Sequence, residues 1–174
     1  YAGGGNDGQV WRIDARGRST LLFDAAEMEV HALALAPDGA LVVGTSPDGK
    51  VYRVDAQGGS SVFFDPDDKY IWALAFDAQG RLLVATGDKG LVYRVGADGR
   101  SEVWCRTQAT HAISLLVDRR GQVLVGTESP GRVLRVSDTG KPFVLLDSPY
   151  RELRALRVNA EGHIYAAAVN GKPT

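Results

Sequence analysis

Apolar residues in this chain occur in short runs that are separated by polar turns. Typical runs are VHALAL (30–35), LVVGT (41–45) and VYRV (51–54), and the turns between them end in glycine. Short runs rich in β-branched residues between glycine turns are typical of antiparallel strands joined by hairpins, whereas helices need apolar residues at helical spacing. The pattern therefore predicts an all-β protein.

The runs recur with a period of 41 residues. Two sets of residues keep this spacing, the valines that open a V-x-R-V/I strand and the glycines that close a turn. They are Val10, Val51, Val92 and Val133, and Gly39, Gly80, Gly121 and Gly162. A period of about 40–45 residues filled by short strands is typical of a β-propeller, in which each repeat forms one blade of four strands. We therefore predict a β-propeller of four-stranded antiparallel blades, with four blade equivalents present.

The period divides a single domain, residues 1–174, into five parts. Residues 1–29 supply strands three and four of a partial blade, and residues 153–174 supply strands one and two of another. Three full blades lie between them, at 30–70, 71–111 and 112–152. The chain starts without Met and inside a repeat, so we expect Tyr1 to be preceded by further sequence. No signal peptide is visible, and no compartment is predicted.

Both ends of the chain predict an open sheet edge, because a two-stranded ribbon is marginal in water. Three arrangements are open: a closed four-bladed ring, half of an eight-bladed ring made by two chains, or part of a larger propeller. The last two are favoured, with self-association through the open edges. In the closed ring, Ile164–Val169 would lie beside Val10–Ile13.

Two further sets of repeated residues predict how neighbouring blades pack. A leucine recurs in strand one and is expected in the core between blades, while a small residue recurs in strand two and is expected where two sheets approach closely. The leucines are Leu33, Leu74, Leu115 and Leu156, and the small residues are Gly3, Gly44, Ala85, Gly126 and Ala167.

Three strings carry a resemblance to a known group. They are GALVVGTSPDGKVYRV (39–54), GRLLVATGDKGLVYRV (80–95) and GQVLVGTESPGRVLRV (121–136). They resemble NHL and two-component-regulator propellers, and the resemblance covers the whole chain. The motifs are specific for the fold and carry little information about function. Related propellers include gluconolactonase-type lactonases and streptogramin lyases, whose acidic, Asn or His residues at the channel mouth bind a metal or do acid–base work. No such residues are carried over to this chain.

Composition excludes several functions. With 20 Lys and Arg against 21 Asp and Glu, the net charge is −1, so no global field attracts nucleic acid or an anionic membrane. No apolar run approaches the roughly 18 residues of a membrane span. The single cysteine, Cys105, excludes an internal disulfide and is predicted to be a small core residue rather than a nucleophile.

The loops before strand one and between strands two and three differ in every blade, which is typical of recognition surfaces on a rigid scaffold. Two repeat positions, one just before strand one and one two residues later, are expected to gather side chains near the channel mouth. They hold Glu29, Tyr70, His111 and Glu152, then His31, Trp72, Ile113 and Arg154. All except Ile113 are candidate ligand-binding residues. No catalytic residue, metal site or cofactor is predicted.

The leading hypothesis is a binding propeller for a protein or a small polar ligand. The alternatives are a lactonase-like or lyase-like enzyme, or a structural domain of a larger protein. We lean away from an enzyme, since no catalytic motif is present. A separate set of arginines recurs in strand three, and we expect each to form a structural ion pair or to pack on the sheet. They are Arg12, Arg53, Arg94 and Arg135.

Overall fold

The protein folds as an all-β propeller, as predicted. The computed structural model describes residues 1–170, and seventeen strands and no helix occur in that range. The strands are β1 Ala2–Gly3, β2 Gln9–Ile13, β3 Ser19–Asp24, β4 Glu29–Leu35, β5 Leu41–Ser46, β6 Val51–Val54, β7 Ser60–Phe64, β8 Ile71–Phe76, β9 Leu82–Thr86, β10 Leu91–Val95, β11 Ser101–Arg106, β12 His111–Val117, β13 Val123–Glu128, β14 Arg132–Val136, β15 Pro142–Asp147, β16 Glu152–Val158 and β17 Ile164–Val169.

The chain divides into two compact units, one spanning Tyr1–Leu74 and one starting at Ala75, so the boundary falls within β8. The first unit contains a three-stranded sheet, β1-β2-β3, and a four-stranded blade, β4-β5-β6-β7. Neighbouring strands in both sheets are antiparallel and follow chain order. The four-stranded blade therefore corresponds to one predicted repeat.

The second unit contains β9, β10 and β11 of the blade β8-β9-β10-β11, the blade β12-β13-β14-β15, and the strand pair β16-β17. The last two are joined by a single residue pair, Glu128 with Glu152. None of the described residues forms a helix that could cross a membrane. The predicted strand boundaries at 153–169 match β16 and β17, and residues 171–174 of the predicted last part lie outside the described residues.

Asx-type turns close the hairpins. At the turn between β6 and β7, the Asp55 carboxylate accepts hydrogen bonds from the backbone N–H groups of Gln57 and Gly59, both at 2.8 Å. Gly58 closes this turn with φ 91°, a left-handed conformation that glycine adopts without steric cost. A short acidic side chain at the start and glycine at the end therefore fix the register of this hairpin.

The core is centred on strand two rather than strand one. Every residue of β5 and β9 is buried, because strand two has a neighbouring strand on each side and packing on both faces. Of the four strand-one leucines predicted to be core, only Leu156 is buried, at 2% exposure. Leu33, Leu74 and Leu115 are partly buried, since strand one lies at the edge of its sheet. The prediction was wrong for Leu74 and Leu115, whereas Leu33 packs against the buried core of the first unit.

The three glycines among the small residues of strand two lie where sheets approach closely, whereas Ala167 is exposed and the prediction was wrong there. A Cβ atom added to Gly3 would lie 2.5 Å from Val30 Cγ1, and one added to Gly44 would lie 2.5 Å from Ile71 Cγ2. At Gly126 the added atom would lie 2.6 Å from the carbonyl oxygen of Leu153. In each case the neighbour is in or directly beside strand one of the following blade, so these glycines set the spacing between blades.

The two ends of the chain differ in how their strands are paired. In the first unit, β1 pairs with β2 through Ala2 with Trp11 and Gly3 with Val10. The side of β2 that a closed ring would offer to Ile164–Val169 is therefore partly occupied by β1. In the second unit, β17 pairs with β16 and most of its side chains are exposed. Closure of the ring and the domain boundaries stay predictions.

Candidate functional site

A β-bulge positions the second of the two candidate rim positions. In three blades the register between strands one and two skips one residue: His31 between β4 and β5, Ile113 between β12 and β13, and Arg154 between β16 and β17. A bulge leaves its extra residue outside the ladder and redirects its side chain, which is why bulges are frequent beside functional sites. The residue type at this repeat position differs from blade to blade. In these three blades the bulge directs its side chain away from the regular pleat.

Four of the predicted site residues form one cluster in the first unit. His31 Nε2 lies 2.8 Å from Glu29 Oε2. The ring centroids of His31 and Trp72 are 4.6 Å apart with an interplanar angle of 40°, and Tyr70 stacks on Trp72 at 5.3 Å and 14°. The side chain of His31 is 26% exposed and that of Glu29 is 38% exposed, so the cluster is open to solvent. It combines a carboxylate, an imidazole and two larger aromatic rings.

The other three predicted residues lie in the second unit, and the structure relates two of them directly. Glu152 is buried, and its Oε2 accepts hydrogen bonds from Nε and Nη2 of Arg154 at 2.6 and 2.5 Å. His111 begins β12, opposite Glu128, and its Nδ1 accepts a hydrogen bond from the backbone N–H of Asp88 at 3.2 Å. These groups are engaged by the protein itself, and Glu152 in particular has its charge compensated.

The same pairing recurs at equivalent positions of two repeats. Glu29 with His31 and Glu152 with Arg154 both place a carboxylate two residues before a basic side chain at the bulge. Within residues 1–170 no group of three or more His, Cys, Asp or Glu side chains is arranged to bind a metal ion. The carboxylate, imidazole and aromatic rings of Glu29, His31, Tyr70 and Trp72 can make polar and aromatic contacts.

Sequence reasoning missed a buried acid in a variable loop of the first unit. Glu27 precedes β4 and is 7% exposed, and its Oε1 accepts hydrogen bonds from Lys50 Nζ at 3.0 Å and Tyr52 Oη at 3.2 Å. Burial opposes its ionisation, but these two hydrogen bonds, a backbone hydrogen bond and the charge of Lys50 together hold the pKa of Glu27 below its ordinary value. The sequence contained one indication of this role: Asp68, at the equivalent position of the next repeat, is also an acid. The structure shows that Asp68 is buried as well.

In two blades, the strand-three arginine forms the ion pair that was expected. Arg53 forms an ion pair with Asp38. Arg94 lies 3.8 Å from Asp77 and 3.5 Å from Glu102, and its guanidinium stacks on Trp104 at 4.2 Å. Arg12 instead donates a hydrogen bond to the carbonyl of Ala56, and Arg135 stacks on Phe143. These arginines are therefore part of the scaffold and do not form a basic groove.

The predicted role of Cys105 as a core residue agrees with its position. Its side chain is buried in β11, and burial raises the pKa of the thiol to about 11. A thiol with such a pKa is almost entirely protonated at neutral pH, and the thiolate is the reactive form.

Comparison with known proteins shows the fold. No protein-family model matches the chain, and no curated protein sequence matches it. Among solved structures, virginiamycin B lyase from Staphylococcus aureus matches at 11% identity and a TM-score of 0.76, covering 94% of this chain and 64% of that chain. A chain of the nidogen/laminin complex matches at 13% identity and a TM-score of 0.76, covering 90% and 65%.

A gluconolactonase from Xanthomonas campestris also matches, at 17% identity and a TM-score of 0.68, covering 82% of this chain and 55% of that chain. The present chain thus spans less than two thirds of the length of these three structures. The similarities support a β-propeller and do not favour the NHL type over other propellers. The neighbours include both enzymes and binding propellers, so function must be argued from the site.

Proposed function

We propose that the protein is a binding propeller whose ligand, a small polar molecule or a peptide, contacts the cluster of Glu29, His31, Tyr70 and Trp72. The observation that carries the proposal is the continuous contact of three aromatic rings beside a carboxylate, all within the first unit. Aromatic faces supply large contact area at a small cost in side-chain entropy, and they attract cations. The carboxylate of Glu29 adds a hydrogen-bond acceptor.

The position of the cluster in the fold supports this interpretation. Glu29 and His31 belong to the start of β4, and Tyr70 and Trp72 occupy the equivalent positions one repeat later. The strands that carry them are equivalent in the two blades, whereas the side chains differ. Such divergence on a constant backbone is expected of a surface that selects a ligand.

The experiment is a ligand screen followed by substitution. A mixture of aromatic, guanidinium and amine fragments is screened by saturation-transfer NMR, and the affinity of each binder is measured by isothermal titration calorimetry. We expect Trp72→Ala to weaken binding about tenfold, because a stacking partner contributes of the order of 1–2 kcal/mol. The matched control is Tyr150→Ala, which removes an exposed tyrosine from the corresponding loop of another repeat.

The proposal is wrong if no fragment binds, or if bound fragments are unaffected by Trp72→Ala and by Glu29→Gln. The enzyme alternative is supported by the fold similarity to a lyase and a gluconolactonase. It predicts hydrolysis of δ-gluconolactone in a pH-stat assay, with loss of that activity in Glu29→Gln. Binding without turnover in the wild-type protein favours the binding propeller.

A further inference from the structure

The aromatic cluster, formed by Glu29, His31, Tyr70 and Trp72, lies among acidic loops. Three loops of the first unit contain seven Asp or Glu against two Lys, and they read DAAEME (24–29), SPDGK (46–50) and DPDDKY (65–70). However these side chains pair with one another, the three loops keep a net negative charge. A surface of one sign attracts ligands of the opposite sign and speeds their association. The charge of the loops therefore favours a cationic ligand.

Contacts join the three loops into one surface within the first unit. Lys50 Nζ in the second loop donates a hydrogen bond to Glu27 Oε1 in the first loop at 3.0 Å. A Cβ atom added to Gly49 in the second loop would lie 2.8 Å from the carbonyl oxygen of Asp68 in the third loop. Each loop connects two strands that the structure describes, β3 to β4, β5 to β6 and β7 to β8. The surface therefore does not depend on residues beyond either end of the chain.

The equivalent loops one repeat later show that the fold does not require these acids. Asp24 and Asp65 share a repeat position with Arg106, and Asp48 shares one with Lys89. One repeat later the two loops contain one acid against two basic residues, and they read GDKGL (87–91) and RTQATH (106–111). The strands that carry them form the same four-stranded antiparallel blade in both repeats. Since the scaffold accepts either charge, the acids of the first unit are available for recognition.

The aromatic rings indicate which kind of cation fits this surface. His31, Trp72 and Tyr70 are in contact in a row, with ring centroids 4.6 and 5.3 Å apart. Guanidinium and ammonium groups bind to the faces of such rings, most strongly to tryptophan. The carboxylate of Glu29, which is 38% exposed, can accept charge-assisted hydrogen bonds from the same groups. The combination of rings and a carboxylate therefore favours an arginine or lysine side chain.

The distribution of charge points to a peptide rather than to a single small cation. Asp24 and Asp48 are exposed and lie in two different loops outside the aromatic cluster. Met28, directly before Glu29, is 61% exposed, and methionine adapts its shape to different partners. One guanidinium group on the rings leaves these side chains without a contact, whereas a peptide with further basic residues also meets them.

We propose that the ligand of the aromatic cluster is a basic peptide segment. One arginine or lysine side chain of the peptide contacts Trp72 and Tyr70 beside Glu29, and its other positive charges lie against the loops at 24–29 and 46–50. This inference rests on the proposed binding function and adds the chemical class of the ligand. The acids thereby have a role in selecting a cationic partner and in speeding its association.

The first experiment titrates the protein with three peptides of equal length by isothermal titration calorimetry. In each peptide glycine alternates with one residue type, which is arginine, glutamine or glutamate. We expect the arginine peptide to bind about tenfold or more tightly than the glutamine peptide, and the glutamate peptide not to bind. Raising the salt from about 0.02 M to about 0.3 M should weaken the arginine peptide about tenfold. N-acetylarginine amide, a single cation, should bind at least about tenfold more weakly than the arginine peptide, and equal affinities would contradict a peptide ligand.

The second experiment tests the position of the contact with matched charge changes. Asp24→Asn combined with Asp48→Asn should weaken the arginine peptide about fivefold at low salt, because two favourable charge interactions are lost. The control is Asp138→Asn combined with Glu161→Gln, which removes two exposed charges from turns of the second unit and should leave affinity unchanged. Trp72→Ala should weaken the peptide about tenfold. Equal effects of the two double variants would show that the attraction is non-specific and would overturn the inference.

The outcomes separate this inference from the proposed function. If the glutamine or glutamate peptide binds as tightly as the arginine peptide, and Trp72→Ala weakens that binding, the cluster binds ligands but the inference of a basic peptide is wrong. The inference is also wrong if fragments bind at the cluster and the arginine peptide does not. If neither the fragments nor any of the three peptides binds, the proposed binding function itself is wrong.

Discussion

The packing between blades makes a specific prediction for Gly44. Its neighbour is Ile71, which is fully buried, and the added methyl carbon of Gly44→Ala would lie 2.5 Å from Ile71 Cγ2 and 3.1 Å from Ile71 Cβ. An ordinary contact between carbon atoms is about 3.5–4.0 Å, so the sheets must separate by roughly 1 Å or Ile71 must change rotamer. Such overpacking costs typically about 1–3 kcal/mol.

An opposing effect reduces the net value. Gly44 does not have a left-handed backbone conformation, so alanine is allowed there. Alanine restricts the unfolded chain and contributes about 0.4–1 kcal/mol of stability. We therefore expect Gly44→Ala to lower the free energy of unfolding by about 1–2 kcal/mol. Urea denaturation followed by far-ultraviolet circular dichroism measures this change.

A double-mutant cycle tests the assigned cause. Ile71→Ala alone should cost about 2–5 kcal/mol, because it leaves a cavity. In the double variant, the methyl group added at position 44 enters the space that Ile71 vacated, so the loss should be smaller than the sum of the single losses by about 1 kcal/mol. The next repeat already has this combination of small residues, since Ala85 is equivalent to Gly44 and Ala112 is equivalent to Ile71. Additive losses would refute the steric explanation.

Three further predictions concern the core and the buried acid. Leu124→Ala, at a fully buried position, should destabilise the protein by about 2–5 kcal/mol, whereas Leu35→Ala at an exposed position should stay within about 0.5 kcal/mol, as measured by urea denaturation. Cys105 should react with Ellman's reagent at neutral pH only when the protein is unfolded, and fast reaction of the folded protein would contradict its burial. The pKa of Glu27 is lower in the folded protein than in the unfolded protein. The contribution of Glu27 to stability is therefore complete above its unfolded pKa, about 4.3, and is lost as the pH falls through the lower folded pKa. Glu27→Gln should therefore flatten the decline in stability below about pH 5, and an unchanged acid limb would contradict this assignment.

The sequence was sufficient for the strands and turns because local chemistry determines them. An aspartate at the start of a turn and a glycine at its end fix a hairpin, as at Asp55 and Gly58. The close approach of sheets was also predictable, because Gly44 and Gly126 belong to a position that stays small in successive repeats. Both features depend on residues that lie in one repeat or in adjacent repeats.

Burial was harder to predict, because it depends on where a strand lies in its sheet. Leu33 and Leu156 occupy the same repeat position, yet only Leu156 is fully buried. Likewise, Glu27 lies in a loop whose composition suggested solvent exposure, and its burial depends on Lys50 and Tyr52, which lie in and beside another loop. Contacts between loops leave only a weak periodic signal, here the acid at the equivalent position of the next repeat, Asp68, which does not reveal the partners Lys50 and Tyr52.

The bulge position explains how one scaffold holds different chemistry. His31, Ile113 and Arg154 all sit at the residue that the register skips, so the backbone presents each of them alike. What differs is the neighbour two residues earlier: Glu29 beside His31 and Glu152 beside Arg154 form polar contacts with the bulge residue, while Ile113 follows His111. Arg154 compensates the charge of a buried glutamate, which is a structural role. His31 is instead partly open to solvent and in contact with Trp72, and of the three bulge residues it is the one that we propose contacts a ligand.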